Sequence, residues 1–289
     1  MKKILLLIVP LFLFVSCCRV EERRLRSYIA GFYEVADFDA KVAGSGYVAL
    51  FWTCRPIAGE HYTLPVDMST FLSRGERATR FNDLVTRHND LGYNRVVTFI
   101  VHPIGRDYSA TSAVSINVVT NVDFDEQHPA GSSLNDVILL LSASPKRFIQ
   151  SGYKETYNWH QKPPECPTNR VLHWFPPTPY RPNHHPVKGY LSELKAEDLL
   201  LLGLGGGFFG PSRDTMEIEG HPGLFIYSVS DFFGYLFFSR FPDNLHQTYN
   251  MTITIHLEDG REFSQTVEMS FLPSSDPGLP FDPDFPFLH

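Results

Sequence analysis

Four polar side chains sit close together at Asp123, Asp125, Glu126 and His128, in the run Asn121-Val122-Asp123-Phe124-Asp125-Glu126-Gln127-His128-Pro129. Three carboxylates beside an imidazole could ligate a hard cation such as calcium, or supply an acid and a base. The run lacks the glycine and the ligand spacing of an EF-hand loop, so its expected form is a polar turn closing a strand over 114–120. A second group lies in residues 153–187, where Trp159, Trp174, Phe175 and Tyr180 are interleaved with His160, His173, His184 and His185. Exposed aromatic faces there could stack on sugar rings or grip a protein, which makes Trp159, Trp174, Tyr180 and His184 the candidate binding residues. His160, Cys166, His173 and the His184-His185 pair carry metal-ligating atoms, but no recognised zinc spacing joins them. Gly203-Leu204-Gly205-Gly206-Gly207 has the glycine density of a phosphate loop without the Lys-Ser/Thr or the strand-helix context that such a loop uses. It reads as a turn after a helix. No serine occupies a nucleophile-elbow pattern and no cysteine has a motif-placed histidine. The residues thus point to no catalytic group, no cofactor and no metal, and an enzyme is not the expectation.

The elements that must position these residues are mostly strands. Tyr47-Val48-Ala49-Leu50-Phe51-Trp52 is an apolar run too short for a helix and rich in β-formers, and 95–101 and 114–120 share its character. These runs predict buried strands. Phe81, Leu84, Val85, His88 and Leu91 recur at helical spacing, predicting a helix over 76–91 stopped by Gly92. A second helix is predicted from an N-cap at Ser192 through Leu199 to Gly203. The clearest element is a hairpin in which Tyr249, Met251, Ile253, Ile255 and Leu257 form one face of a first strand. Phe263, Val267, Met269 and Phe271 form the same face of the next, and Asp259-Gly260 makes the turn. One apolar face and one wet face call for a second sheet to cover the apolar one. The predicted fold is therefore mainly β, an immunoglobulin-like or related antiparallel sandwich with one or two short helical insertions. Eight prolines within 153–187 forbid helix and central strand and predict a long surface loop.

The N-terminus adds an address. Met1-Lys2-Lys3 precedes an unbroken apolar run from Ile4 to Val15 and then Ser16-Cys17-Cys18, the order of a secretory signal. The run falls short of the ~20 apolar residues that span a bilayer. Phe14-Val15-Ser16-Cys17 resembles the lipobox of bacterial lipoproteins, which implies cleavage before Cys17 and lipidation of its sulfur. Two acyl chains such as palmitate hold a protein on a membrane where one would be marginal. The expected organisation is a signal peptide at 1–16, a charged lipidated tether at 17–30, a β-sandwich body at 31–272 containing the proline-rich loop, and an extended tail at 273–289. The whole chain has a net charge of -7, and loss of Lys2 and Lys3 with the signal makes the remainder more acidic by two. That disfavours nucleic acid and acidic lipid surfaces as partners. In an oxidising envelope compartment Cys54 and Cys166 are the plausible disulfide pair, since Cys18 lies beside the anchor.

Residues 115–141, with Asp123-Phe124-Asp125 and His128-Pro129-Ala130-Gly131, together with Leu257-Glu258-Asp259-Gly260-Arg261-Glu262-Phe263, resemble Bacteroidota-type lipoproteins carrying a domain of unknown function. The resemblance implies a lipid-anchored, non-catalytic cell-envelope protein at the outer membrane, and it carries over no site residue. Binding or scaffolding of a glycan or an envelope protein is the expected role. A fimbrial or adhesin-type subunit and a glycan-binding module are the alternatives, and the periplasmic or surface face stays open at this point.

Overall fold

The computed structural model describes residues 21–44, 46–59, 76–99, 107–158, 183–203, 211–218 and 221–271. In chain order the strands are β1 (Glu21–Leu25), β2 (Gly31–Gly44), β3 (Tyr47–Gly59), β4 (Arg95–Phe99), β5 (Asp107–Ser109), β6 (Ala113–Thr120), β7 (Ile138–Ser144), β8 (His185–Tyr190), β9 (Pro211–Ile218), β10 (His221–Phe238), β11 (Thr248–Leu257) and β12 (Glu262–Ser270). Among the described residues the helices are α1 (Glu76–Arg87) and α2 (Lys146–Gln150), with a 3-10 turn at Ala196–Leu199. The chain divides into two compact units, Met1–Gly31 with Ala58–Arg106, and Phe32–Ile57 with Asp107–His289.

In the first unit β1 pairs antiparallel with β4, Glu21 opposite Phe99 and Leu25 opposite Arg95. The expectation of a solvated tether over 17–30 is corrected here for residues 21–30. Charge made this stretch look like free chain, but its backbone is engaged. Asp90, fully buried, accepts the Tyr28 and Ile29 N–H groups at 2.9 and 2.7 Å, and the Arg26 carbonyl accepts the Gly92 and Tyr93 N–H groups. The Tyr28 and Tyr93 rings meet edge to face at 5.5 Å. Helix α1 buries Val85 and ends at Arg87, short of the expected 91. Asn89 is the reason, because it turns left-handed at φ 55° while its N–H reaches Thr86 O and the Asp90 N–H reaches Val85 O. This is a Schellman closure with asparagine in the usual glycine position, so Gly92 is not the stop.

The second unit is a β-sandwich. One sheet has seven strands in the order β5-β2-β3-β10-β7-β8, with β9 also paired to β10, and the other has three in the order β12-β11-β6. The core lies between them. From the larger sheet come Val35 and Phe38, Leu50 and Trp52, Ile138 and Leu140, and Phe233 and Leu236; from the smaller come Ile116 and Val118, Met251, Ile253 and Ile255, and Met269. Trp52 and Phe233 stack at 4.2 Å, and Trp52 meets Phe263 of the opposite sheet at 6.3 Å. The larger sheet is apolar on its other face too, where Ala49, Leu139, Leu141, Ala143, Tyr235 and Phe237 make a second buried cluster. Burial on both faces explains why Tyr47 to Trp52 reads as a continuous apolar run instead of an alternating one.

The hairpin forms as expected, with β11 against β12 from Thr248↔Ser270 to His256↔Glu262 and Gly260 supplying φ 86° in the turn. The wet face is a row of paired hydroxyls, Thr252 with Thr266 at 2.9 Å and Thr254 with Ser264 at 3.1 Å. A predicted helix from Ser192 to Gly203 shrinks to the 3-10 turn, whose cap is Lys195. Leu194 instead folds back onto β8, where a Cβ at Gly189 would meet its Cδ2 at 3.0 Å.

Candidate functional site

The polar run after β6 is the first place to look for chemistry, and the structure uses it to hold a loop. Asp125 Oδ1 accepts the backbone N–H groups of Gln127 and His128, each at 2.9 Å, and lies 2.7 Å from His128 Nδ1. The other ring nitrogen, Nε2, lies 2.9 Å from Asp136 Oδ1, so the imidazole joins the two ends of the loop. Arg240, at the end of β10, brings Nη2 to 3.0 Å from Asp125 Oδ2 and 3.1 Å from His128 Nδ1. Its approach to Oδ2 is an ion pair by distance without an N–H aimed at that oxygen. The His128 and Asp125 side chains are only 6% and 11% exposed, whereas Asp136 and Arg240 open to solvent. Desolvation pushes the Asp125 carboxyl up, but the His128 hydrogen bond, the Gln127 N–H and the Arg240 charge outweigh it and leave the group below its ordinary value.

Asp123 does not join this network. Its Oδ1 accepts the Ala130 N–H at 2.8 Å, and Glu126 points into solvent. Among the described residues no group of three or more His, Cys, Asp or Glu side chains is placed to hold a metal ion. Sequence reading found Asp125 and His128 but missed Asp136 and Arg240. Asp136 lies on the far limb of the same loop, and Arg240 is 112 positions from His128, a distance at which composition gives no signal.

Of the aromatic and histidine group, Trp159, Trp174 and Tyr180 lie outside the described residues. His184 is 2% exposed, with Nε2 2.6 Å from the Tyr108 hydroxyl, and the two rings stack at 6.1 Å. It anchors the chain as β8 begins and offers no surface for stacking a sugar. Cys54 is buried with its Sγ 3.6 Å from the Trp52 carbonyl; Cys17 and Cys166 lie outside the described residues.

A concavity among the described residues of this unit lies elsewhere, along β8. A groove of about 570 Å³ runs between α2, β8 and the segment from Glu193 to Asp198. No known protein family, curated protein or solved structure matches the chain. The groove must therefore be interpreted from its own residues. Lys146 and Arg147 of α2 and Lys188 of β8 supply positive charge, and Glu193, Glu197 and Asp198 supply an equal negative charge. Lys146 Nζ donates to the Glu197 carbonyl at 2.5 Å, and Arg147 Nε reaches Glu155 at 2.6 Å in an exposed pair. The Tyr157 and His185 rings, 5.7 Å apart and inclined at 60°, add an aromatic portion, and His185 Nε2 lies 3.1 Å from the Glu155 carbonyl. None of these residues except His185 stood out in the sequence, because each is an ordinary surface type and the groove exists only through the pairing of β7 with β8.

Proposed function

We propose that this chain is a lipid-anchored, non-catalytic cell-envelope protein that binds or scaffolds a partner at the outer membrane. The anchoring half rests on the apolar run ending at Ser16-Cys17 and on the resemblance of that end to a lipobox. The binding half rests on one observation, the open groove of mixed charge beside a sheet edge. Support for a non-catalytic role comes from Asp123, Asp125 and His128, whose hydrogen bonds hold the loop: Asp123 accepts the Ala130 N–H, Asp125 accepts the Gln127 and His128 N–H groups, and the His128 ring bridges Asp125 and Asp136.

Metabolic labelling with an alkyne-tagged palmitate, followed by fractionation, tests the anchor. The label is expected on the parent chain, which sediments with membranes, and Cys17→Ser is expected to abolish both. An unmodified N-terminus, or a Cys17→Ser product that still sediments, overturns the reading. A fimbrial or adhesin-type subunit is the second reading, favoured by β12, which among the described residues pairs with β11 alone. Such an edge can accept a strand from another subunit. Sedimentation of concentrated Cys17→Ser protein is decisive here, since a persistent monomer counts against assembly through that edge.

A further inference from the structure

The groove beside β8 has a shape that narrows its occupant. Five consecutive residues of the strand line it, from His185 to Gly189. Successive side chains of a strand point to opposite faces, so a groove reached from one face would touch every second residue. Contact with all five means that the groove follows the edge of the strand. That edge is the border of the sheet, because among the described residues β8 pairs with β7 alone.

The pairing also shows which backbone groups turn outward. Leu191 N–H donates to Ile138 O, which makes Ile138 and Leu191 a hydrogen-bonded pair. Bonded and unbonded pairs alternate along an antiparallel ladder, so Pro186, Lys188 and Tyr190 present their backbone away from β7. Pro186 brings no N–H to the edge. A full ladder with a long foreign strand is thereby discouraged, as edge prolines do in general, and side-chain charge must carry more of the recognition.

The groove carries both signs of charge. Lys146 and Arg147 belong to α2 and Lys188 to β8, whereas Glu193, Glu197 and Asp198 belong to the segment after β8, to which Lys146 Nζ reaches at the Glu197 carbonyl. Among the described residues the carboxylates of Glu193 and Glu197 have no side-chain partner, and Arg147 is held only by an exposed pair that solvent screens. A ligand of one sign would meet like charge as well as opposite charge in this groove, whereas a ligand bearing both signs can pair with both. The strand runs for six residues, roughly 20 Å of extended backbone.

We propose that this groove binds an extended peptide segment carrying both acidic and basic side chains. The inference rests on the reading of the chain as a binding protein and adds the class of partner. It is tested with Cys17→Ser protein sorted against a bead-displayed library of random hexapeptides, in parallel with an array of neutral glycans. The selected peptides are expected to be enriched in sequences with charges of both signs. Reversing the acidic charge with Glu193→Lys and Glu197→Lys together, at exposed positions that leave the thermal midpoint unchanged, should shift selection at least tenfold towards acid-rich peptides. Selection without charge bias, or a selected set that ignores the reversal, overturns the proposal. Retention on glycans with no peptide enriched overturns it while keeping the binding role, and retention on neither overturns both.

Discussion

Replacing Asp125 by alanine is the sharpest test of how the loop after β6 is held. The side chain is 11% exposed and serves two backbone N–H groups, the His128 ring and the Arg240 guanidinium. Its loss strands the poorly exposed His128 Nδ1, at about 1–3 kcal/mol for one such group, whereas the His128 amide keeps the Asp125 carbonyl at 3.1 Å. The Arg240 contribution is small because that side chain is 41% exposed. The sum is about 2 kcal/mol, which lowers the melting temperature of a unit of this size by roughly 4–8 °C. Asp125→Asn keeps an acceptor for the turn while losing the charge, so it should cost about half as much. The dependence on pH has a definite sign. The Asp125 carboxyl is depressed below its ordinary 3.8 in the folded chain, so its contribution is complete above that value and is lost as pH falls through the lower folded one. The penalty of Asp125→Ala should thus be largest near neutrality and should shrink in strong acid. Urea unfolding of the Cys17→Ser protein at pH 7 and pH 3, with and without the substitution, measures all of this. A loss below about 1 kcal/mol at pH 7, or a penalty that grows in acid, would refute the account of the loop.

Other outcomes can be stated briefly. Phe124→Ala removes a fully buried ring that meets Phe238, Tyr249 and Phe271 at 5.8 to 6.0 Å, and should cost about 3–5 kcal/mol in the same assay. Asp90→Ala should speed hydrogen exchange at the Tyr28 and Ile29 amides, which lose carboxylate acceptors at 2.9 and 2.7 Å, while leaving the hairpin amides of β11 unchanged. Burial, and after it the Arg87 charge, push His88 down from 6.5 to about 4. The native imidazole stays neutral while the unfolded chain takes up a proton, so stability is full above about pH 6.5 and falls by at most about 3 kcal/mol towards pH 4. His88→Gln should flatten the stability profile across that window, as followed by thermal melts at half-unit pH steps.

Alternation and turn chemistry are local, and they made the β11–β12 hairpin legible with its buried face, its Asp259-Gly260 turn and the need for a covering sheet. The strand content and the turn nature of residues 121–129 follow from the same short-range rules. Residues 21–30 misled because side-chain charge says nothing of backbone pairing, and Asp90 reaches them across about sixty positions of sequence. The helix predicted from Ser192 gave way where Leu194 packs against Gly189 of β8, a tertiary contact that local spacing does not signal. The groove was wholly invisible in the chain. Lys146, Lys188, Glu193 and Glu197 are each unremarkable surface residues, and the antiparallel register of β7 with β8 helps to bring their charges into one cleft. Local sequence determined where this protein alternates, turns and ends its helices, because those preferences act within a few residues. Tertiary packing decided which polar groups meet, because contacts between distant segments depend on burial and register that no single segment encodes.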